Sequence, residues 1–201
     1  METTPLVWYV AYGSNLDTAR LRCYLEGGVA PGRTEPNPGA RDRTAPRASR
    51  ATTLPHPVRF VGRAPAWGGG GYAVLEHGTV DPPPTLGRAW LLTVAQLADV
   101  LDQECGRPSG TTGTIDVGAV AAAGAHVLGE GAYDRLVGLG PIDDVAALTF
   151  TSPVDPADRP AARPSPAYLA TMAAGLRAAH GLDDAAIARY LASVPGTATD
   201  A

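Results

Sequence analysis

Apolar residues run without polar interruption from residue 6 to residue 12, Leu-Val-Trp-Tyr-Val-Ala-Tyr, and the run breaks at Gly13-Ser14-Asn15. An unbroken apolar run rich in β-branched and aromatic residues predicts a strand covered on both faces. Gly13 permits a backbone conformation that a side chain would block, and amide N–H groups at the next helix start can converge on one carboxylate or carbonyl oxygen. A helix is predicted over residues 16–26, stopped by Gly27-Gly28. Residues 31–57 carry Pro, Gly, Arg and Thr without periodicity and read as a long loop insertion. Short strands are predicted at 58–61, 72–75 and 88–92, punctuated by Gly68 to Gly71 and by Pro82-Pro83-Pro84. Residues 146–151 suit a last strand, whereas 119–139 fit helix and strand equally.

Two helices are marked by their caps. Thr93 followed by Gln96 forms a capping box, so a helix starts there and runs to about Glu104, before Gly106-Arg107-Pro108. Ser165 with Pro166 opens another that closes at His180-Gly181, and a short helix follows over 183–192. At about 100° per residue, Val94, Leu97, Val100 and Leu101 share one stripe of the first of these helices, with Gln96, Asp99, Asp102 and Gln103 opposite. Glu104 projects between Leu97 and Val100. A carboxylate among apolar neighbours is costly to ionise, which is the setting a general acid/base needs. The alternative is that Glu104, last in its helix, frays outward into water.

Composition narrows the function classes. The 201 residues carry a net charge of −4 and 45% hydrophobic content, so one enzyme-sized domain spanning 1–201 is expected, with no overall attraction for nucleic acid. All 16 basic residues are Arg, alongside 24 Gly and 19 Pro, a bias of composition that weakens any functional reading of Arg33, Arg41, Arg43, Arg47 and Arg50, which read as a solvated loop. Cys23 and Cys105 lack metal-site or disulfide spacing, and Cys105 reads as an inert, partly buried thiol. No signal-like segment or apolar run of about 18 residues occurs, so a soluble, cytoplasmic protein is expected, without a membrane partner. His56, His77, His126 and His180 sit in no nucleophile-partner motif, so Ser14 reads as a positioning residue. The stretch 106–113 lacks a phosphate loop's Gly-Lys-Ser/Thr ending and reads as a turn.

Four segments in order, Tyr12-Gly13-Ser14-Asn15-Leu16, the strand 70–75, the helix region 87–106 ending Gln103-Glu104, and 164–182 with Pro164-Ser165-Pro166-Ala167-Tyr168, Met172 and Gly175, resemble the γ-glutamylcyclotransferases. The resemblance implies an α+β fold, a small mixed β-barrel flanked by helices. It implies cleavage of a γ-glutamyl amide by the substrate's own α-amine, giving 5-oxoproline and a free amine, with no metal or cofactor. It places the catalytic carboxylate at Glu104, the γ-glutamyl-holding loop at Ala11, Tyr12, Gly13, Ser14 and Asn15, and a pocket tyrosine at Tyr168. The chain departs from the family in having Cys105 between Glu104 and Gly106, a phenylalanine, Phe150, near a pocket tyrosine position, and a longer insertion at 31–57. Two other readings stand beside it: a non-catalytic binder of a γ-glutamyl or similar small polar ligand, and an enzyme that removes a γ-glutamyl protecting group from a biosynthetic amine. The partner in each is a small molecule, and whether the chain forms a homodimer is open.

Overall fold

The computed structural model describes residues 4–81 and 84–197. The predicted proline turn therefore falls partly outside the described residues, at Pro82 and Pro83. Among the described residues eight strands and five α-helices follow one another as β1 (Leu6–Ala11), α1 (Thr18–Glu26), β2 (Ala48–Leu54), β3 (Val58–Ala64), β4 (Gly70–Leu75), β5 (Thr85–Thr93), α2 (Val94–Glu104), α3 (Val117–Ala123), β6 (Ala125–Val127), β7 (Arg135–Ile142), β8 (Val145–Thr151), α4 (Pro166–His180) and α5 (Asp184–Ser193). Six strands form one mixed sheet in the order β2-β5-β1-β8-β7-β6, and β3 pairs with β4 as a separate ribbon.

β1 is central, antiparallel to β5 and parallel to β8. That position explains its lack of polar alternation: Val7, Tyr9 and Ala11 enter one core with α1, α2 and α3, while Trp8, Val10 and Tyr12 enter the other with α4, α5 and the ribbon. The ribbon meets the sheet through a hydroxyl instead of a backbone ladder, since Leu75 N–H donates to Thr151 Oγ1 (2.8 Å) and Thr151 donates to Leu75 O (2.9 Å). The fold class is the expected α+β, with the barrel left unclosed at this seam.

Two expectations change. Residues 31–57 are not wholly loop, because β2 pairs with β5 from Ala48↔Leu91 to Leu54↔Thr85. As an edge strand it exposes most of its side chains and is ordered by β5's backbone groups, so it leaves no hydrophobic pattern to read. On α2 the residues opposite the apolar stripe, Gln96, Asp99 and Asp102, are buried as well. Arg41 binds Asp99, Arg107 and Thr112 bind Asp102, and Gln96 donates to Thr44 O besides closing the capping box. The loops around the helix supply the partners that buried polar groups need. The ambiguous 119–139 region resolves into most of α3, β6 and the start of β7. Among the described residues no helix is long and apolar enough to cross a membrane.

Candidate active site

β1 ends at the sheet's centre and delivers Gly13, followed by a single 3-10 turn, Ser14–Leu16. Gly13 has φ −111°, outside the left-handed region, so backbone freedom is not what requires a glycine there. Crowding requires it: a Cβ would lie 2.8 Å from the Tyr168 hydroxyl oxygen and 3.2 Å from Ala73 Cβ. α4 packs on the turn at Gly175, where a Cβ would come within 2.5 Å of Leu16. Its Ser165 cap accepts from Tyr168 N–H and fixes the register that aims Tyr168 at the loop. Ser14 N–H (3.4 Å) and Ala73 N–H (3.3 Å) both point at the Tyr168 oxygen, leaving the phenolic proton free to donate.

Glu104 ends α2 and is half-buried, neither in the core nor free in water. Asn15 Nδ2 donates to Glu104 Oε1 (2.8 Å) and to Tyr9 OH (3.0 Å), while Trp90 Nε1 donates to Asn15 O (3.0 Å). Asn15 Oδ1 is buried with no partner among the described residues, an acceptor held beside the carboxylate. Glu104, Ser14 and Tyr168 line both a small inner recess and a cavity of about 650 Å³. Burial pushes the phenols of Tyr9, Tyr12, Tyr24, Tyr133 and Tyr168 up, and the negative charge of Glu104 adds to this at Tyr9 and Tyr24. These side chains stay protonated donors at neutral pH.

Of the residues singled out in the sequence, Tyr12, Gly13, Ser14, Asn15, Glu104 and Tyr168 thus meet around one recess. Ala11 does not join them: it is paired with Arg88 inside the sheet, its side chain in the core. Phe150 does reach the recess, stacked on Tyr9 with ring centroids 5.0 Å apart. Tyr12 donates to Phe150 O (2.8 Å). Tyr133, in the segment whose structure the sequence left open, lines the same recess; it packs against Phe150 and donates to Ala73 O (3.0 Å). Tyr9 and Tyr24 were hidden as well, Tyr9 by an apolar run and Tyr24 by a helix that reads as ordinary. The one available signal was Arg20 and Tyr24 at i,i+4 spacing, one face of α1. Arg33 lines the large cavity and is not a solvated loop residue. Beside Glu104, Cys105 is half-buried, its thiol pushed up to about 12 by burial, in contact with Asp134 (3.4 Å). Among the described residues no three His, Cys, Asp or Glu side chains are grouped to hold a metal.

No protein-family model matches the sequence. Histone deacetylase 5 of Arabidopsis thaliana is 29% identical over 188 residues, an alignment covering 85% of this chain and 28% of that protein, so the chain spans little more than a quarter of this relative. Among solved structures, a γ-glutamyl cyclotransferase superposes with a TM-score of 0.54 at 17% identity, covering 98% of this chain and 92% of that one. An uncharacterized human protein superposes with a TM-score of 0.52 at 18% identity and the same coverage. A mixed sheet with α1 to α3 on one face, α4, α5 and the ribbon on the other, and an alignment that covers nearly the whole chain together make this a chain of the γ-glutamyl cyclotransferase-like fold.

Proposed function

We propose that the chain is a cyclotransferase acting on γ-glutamyl amides. The observation that carries this reading is the Glu104 carboxylate, 2.8 Å from Asn15 of the Gly-Ser-Asn loop and lining a cavity wide enough for a small molecule. The substrate's α-amine attacks its own γ-carbonyl carbon. A C–N bond closes the five-membered lactam, the amide C–N bond breaks, and 5-oxoproline and an amine are released. Because both reacting groups belong to one molecule, a recess that holds the chain folded exploits effective molarities on the order of 10⁵ M or more.

The remaining task is proton transfer. A free α-amine has a pKa of about 8 and arrives as an ammonium, which the Glu104 carboxylate and the unpaired Asn15 Oδ1 both suit as acceptors. The attacking nitrogen loses two protons, one as the ammonium becomes the nucleophile and one as the ring closes; Glu104 relays them one at a time to the departing nitrogen, which leaves as an ammonium, so the reaction has no net proton change. Tyr168, its oxygen already occupied by two backbone N–H groups, donates its proton to the glutamyl end or to the oxygen that gains charge in the tetrahedral intermediate.

Incubation with a panel of γ-glutamyl amino acids and amines, followed by chromatography for 5-oxoproline, tests the proposal. Glu104→Gln keeps the size and hydrogen bonding of the side chain and removes the base, so a folded protein with turnover lowered at least ~10²-fold is expected. Near-normal turnover in that variant refutes the role of Glu104. Binding without product across the panel points instead to a non-catalytic binder. The 650 Å³ cavity exceeds what a glutamyl group fills, which keeps a larger biosynthetic amine among the leaving groups to be assayed.

A further inference from the structure

The cavity that Ser14 and Glu104 line also holds, among the described residues, cations without carboxylate partners. Arg20, on α1, is only 2% exposed, yet among the described residues neither it nor Arg33 forms an ion pair. Both guanidinium groups share one neutral acceptor, Asn37 Oδ1, at 2.6 Å from Arg20 and 3.2 Å from Arg33. The Nε atom of each is buried and has no partner among the described residues. Arg20 lies 3.9 Å over the Tyr24 ring, donates to the Tyr24 hydroxyl, and stands with Arg33 at 5.7 and 5.8 Å from the Trp67 ring. Burial, then the neighbouring charge of Arg20, lowers the pKa of Arg33, as expected for two cations held together out of water. Two further arginines line the cavity: Arg63, exposed and donating to Gly69 O, and Arg107, already matched by Asp102 and Asp134. Of the carboxylates that line the same cavity, Glu35 is exposed and Glu104 faces Asn15.

A buried charge is tolerated when an opposite charge meets it, and paired guanidinium forks match the planar geometry of an oxyanion. We propose that Arg20 and Arg33, bridged by Asn37 and backed by Trp67, form an oxyanion subsite that selects leaving amines bearing a carboxylate or phosphate. Arg20, which donates to the Tyr24 hydroxyl, Arg33, Tyr24 and Glu104 all line this one cavity, so an amine released at Glu104 leaves into the space the arginines bound. This rests on the cyclotransferase reading for the identity of the substrate, while the subsite itself rests on the unpaired cations.

The test is turnover of a matched set: γ-glutamylalanine, its C-terminal carboxamide, and γ-glutamyl-O-phosphoethanolamine. The unmodified protein is expected to favour at least one anionic compound over the carboxamide by about tenfold or more in kcat/KM, and the better of the two names the oxyanion. Arg33→Met, placed in a loop where folding is least at risk, is expected to erase that preference, lowering kcat/KM on the favoured anionic compound through KM about tenfold more than on the carboxamide; Arg33→Lys restores part of it. Equal rates on charged and neutral compounds, or an equal loss on both in Arg33→Met, overturn the subsite with the reaction intact. If no compound yields 5-oxoproline, the catalytic reading fails and γ-glutamylalanine binding, followed by tryptophan fluorescence, decides the subsite. Binding weakened about tenfold in Arg33→Met supports it, and equal or undetectable binding to both proteins overturns it.

Discussion

Gly13 and Tyr168 show how two residues define the site by contact. The absent Cβ of one is the space the hydroxyl of the other fills, and the oxygen there collects N–H bonds from Ser14 and Ala73. Tyr168→Phe removes the donor and leaves two amides without their acceptor, so a folded protein of lowered stability, with turnover reduced about tenfold or more, is expected from parallel melting and rate measurements. Unchanged turnover removes Tyr168 from the proposed chemistry. Cys105 behaves differently although it adjoins Glu104. With its thiol pushed up to about 12 by burial, it carries almost no thiolate at pH 8. Alkylation by iodoacetamide, followed by peptide mass, is expected to lag an unfolded control at least ~10²-fold; a comparable rate shows the thiol to be open and reactive.

At the scale of elements, the capped helices were legible because a cap is local: Thr93 with Gln96, and Ser165 with Pro166, act within one turn of chain. The phase of α2 followed from that start, and with it the singular position of Glu104. Its polar partners did not follow, since Asp99 and Asp102 are neutralised by Arg41 and Arg107 from loops that periodicity does not describe. β2 was illegible for a related reason, its order coming from β5. α4 matters to the site because it closes directly on the loop. Gly175→Ala forces a methyl against Leu16 and Asp17, with overpacking expected to cost about 1–3 kcal/mol. For a chain of this size a loss of several degrees in Tm is expected, together with a drop in turnover as Tyr168 shifts from the loop. A variant melting and turning over like the parent shows that the contact relaxes freely.

Over the whole molecule, charge and burial set a pH window. Asp42 is held below the usual carboxylate range by Thr44 N–H and hydroxyl. At Asp134 burial works upward but is outweighed by Arg107 and the Gly131 amide, leaving the carboxyl low. Folded values below unfolded ones give stability that is complete above about pH 4 and lost as pH falls through the folded values. The five tyrosines act at the other end. Their folded values are raised, so their contribution is complete below the unfolded value of about 10 and lost as pH rises further, with Cys105 adding to the loss from about 9. A Tm series is expected to plateau between about pH 5 and 8 and to fall at pH 3 and at pH 10.5. A Tm at pH 10.5 equal to that at pH 7 contradicts the burial of these phenols.

The sequence by itself determined what adjacent residues settle: the buried run of β1, its break at Gly13-Ser14-Asn15, the capped helices, and the carboxylate at the end of α2. The tertiary structure alone decided which distant side chains share a space. It kept Ala11 in the sheet, brought Tyr9, Tyr24 and Tyr133 around Glu104, and turned Arg20 and Arg33 from ordinary helix and loop residues into the cationic wall of a cavity. Caps, turns and strand runs are energies of neighbours along the chain, whereas a cavity is bounded by elements whose proximity is set by the packing of the whole core.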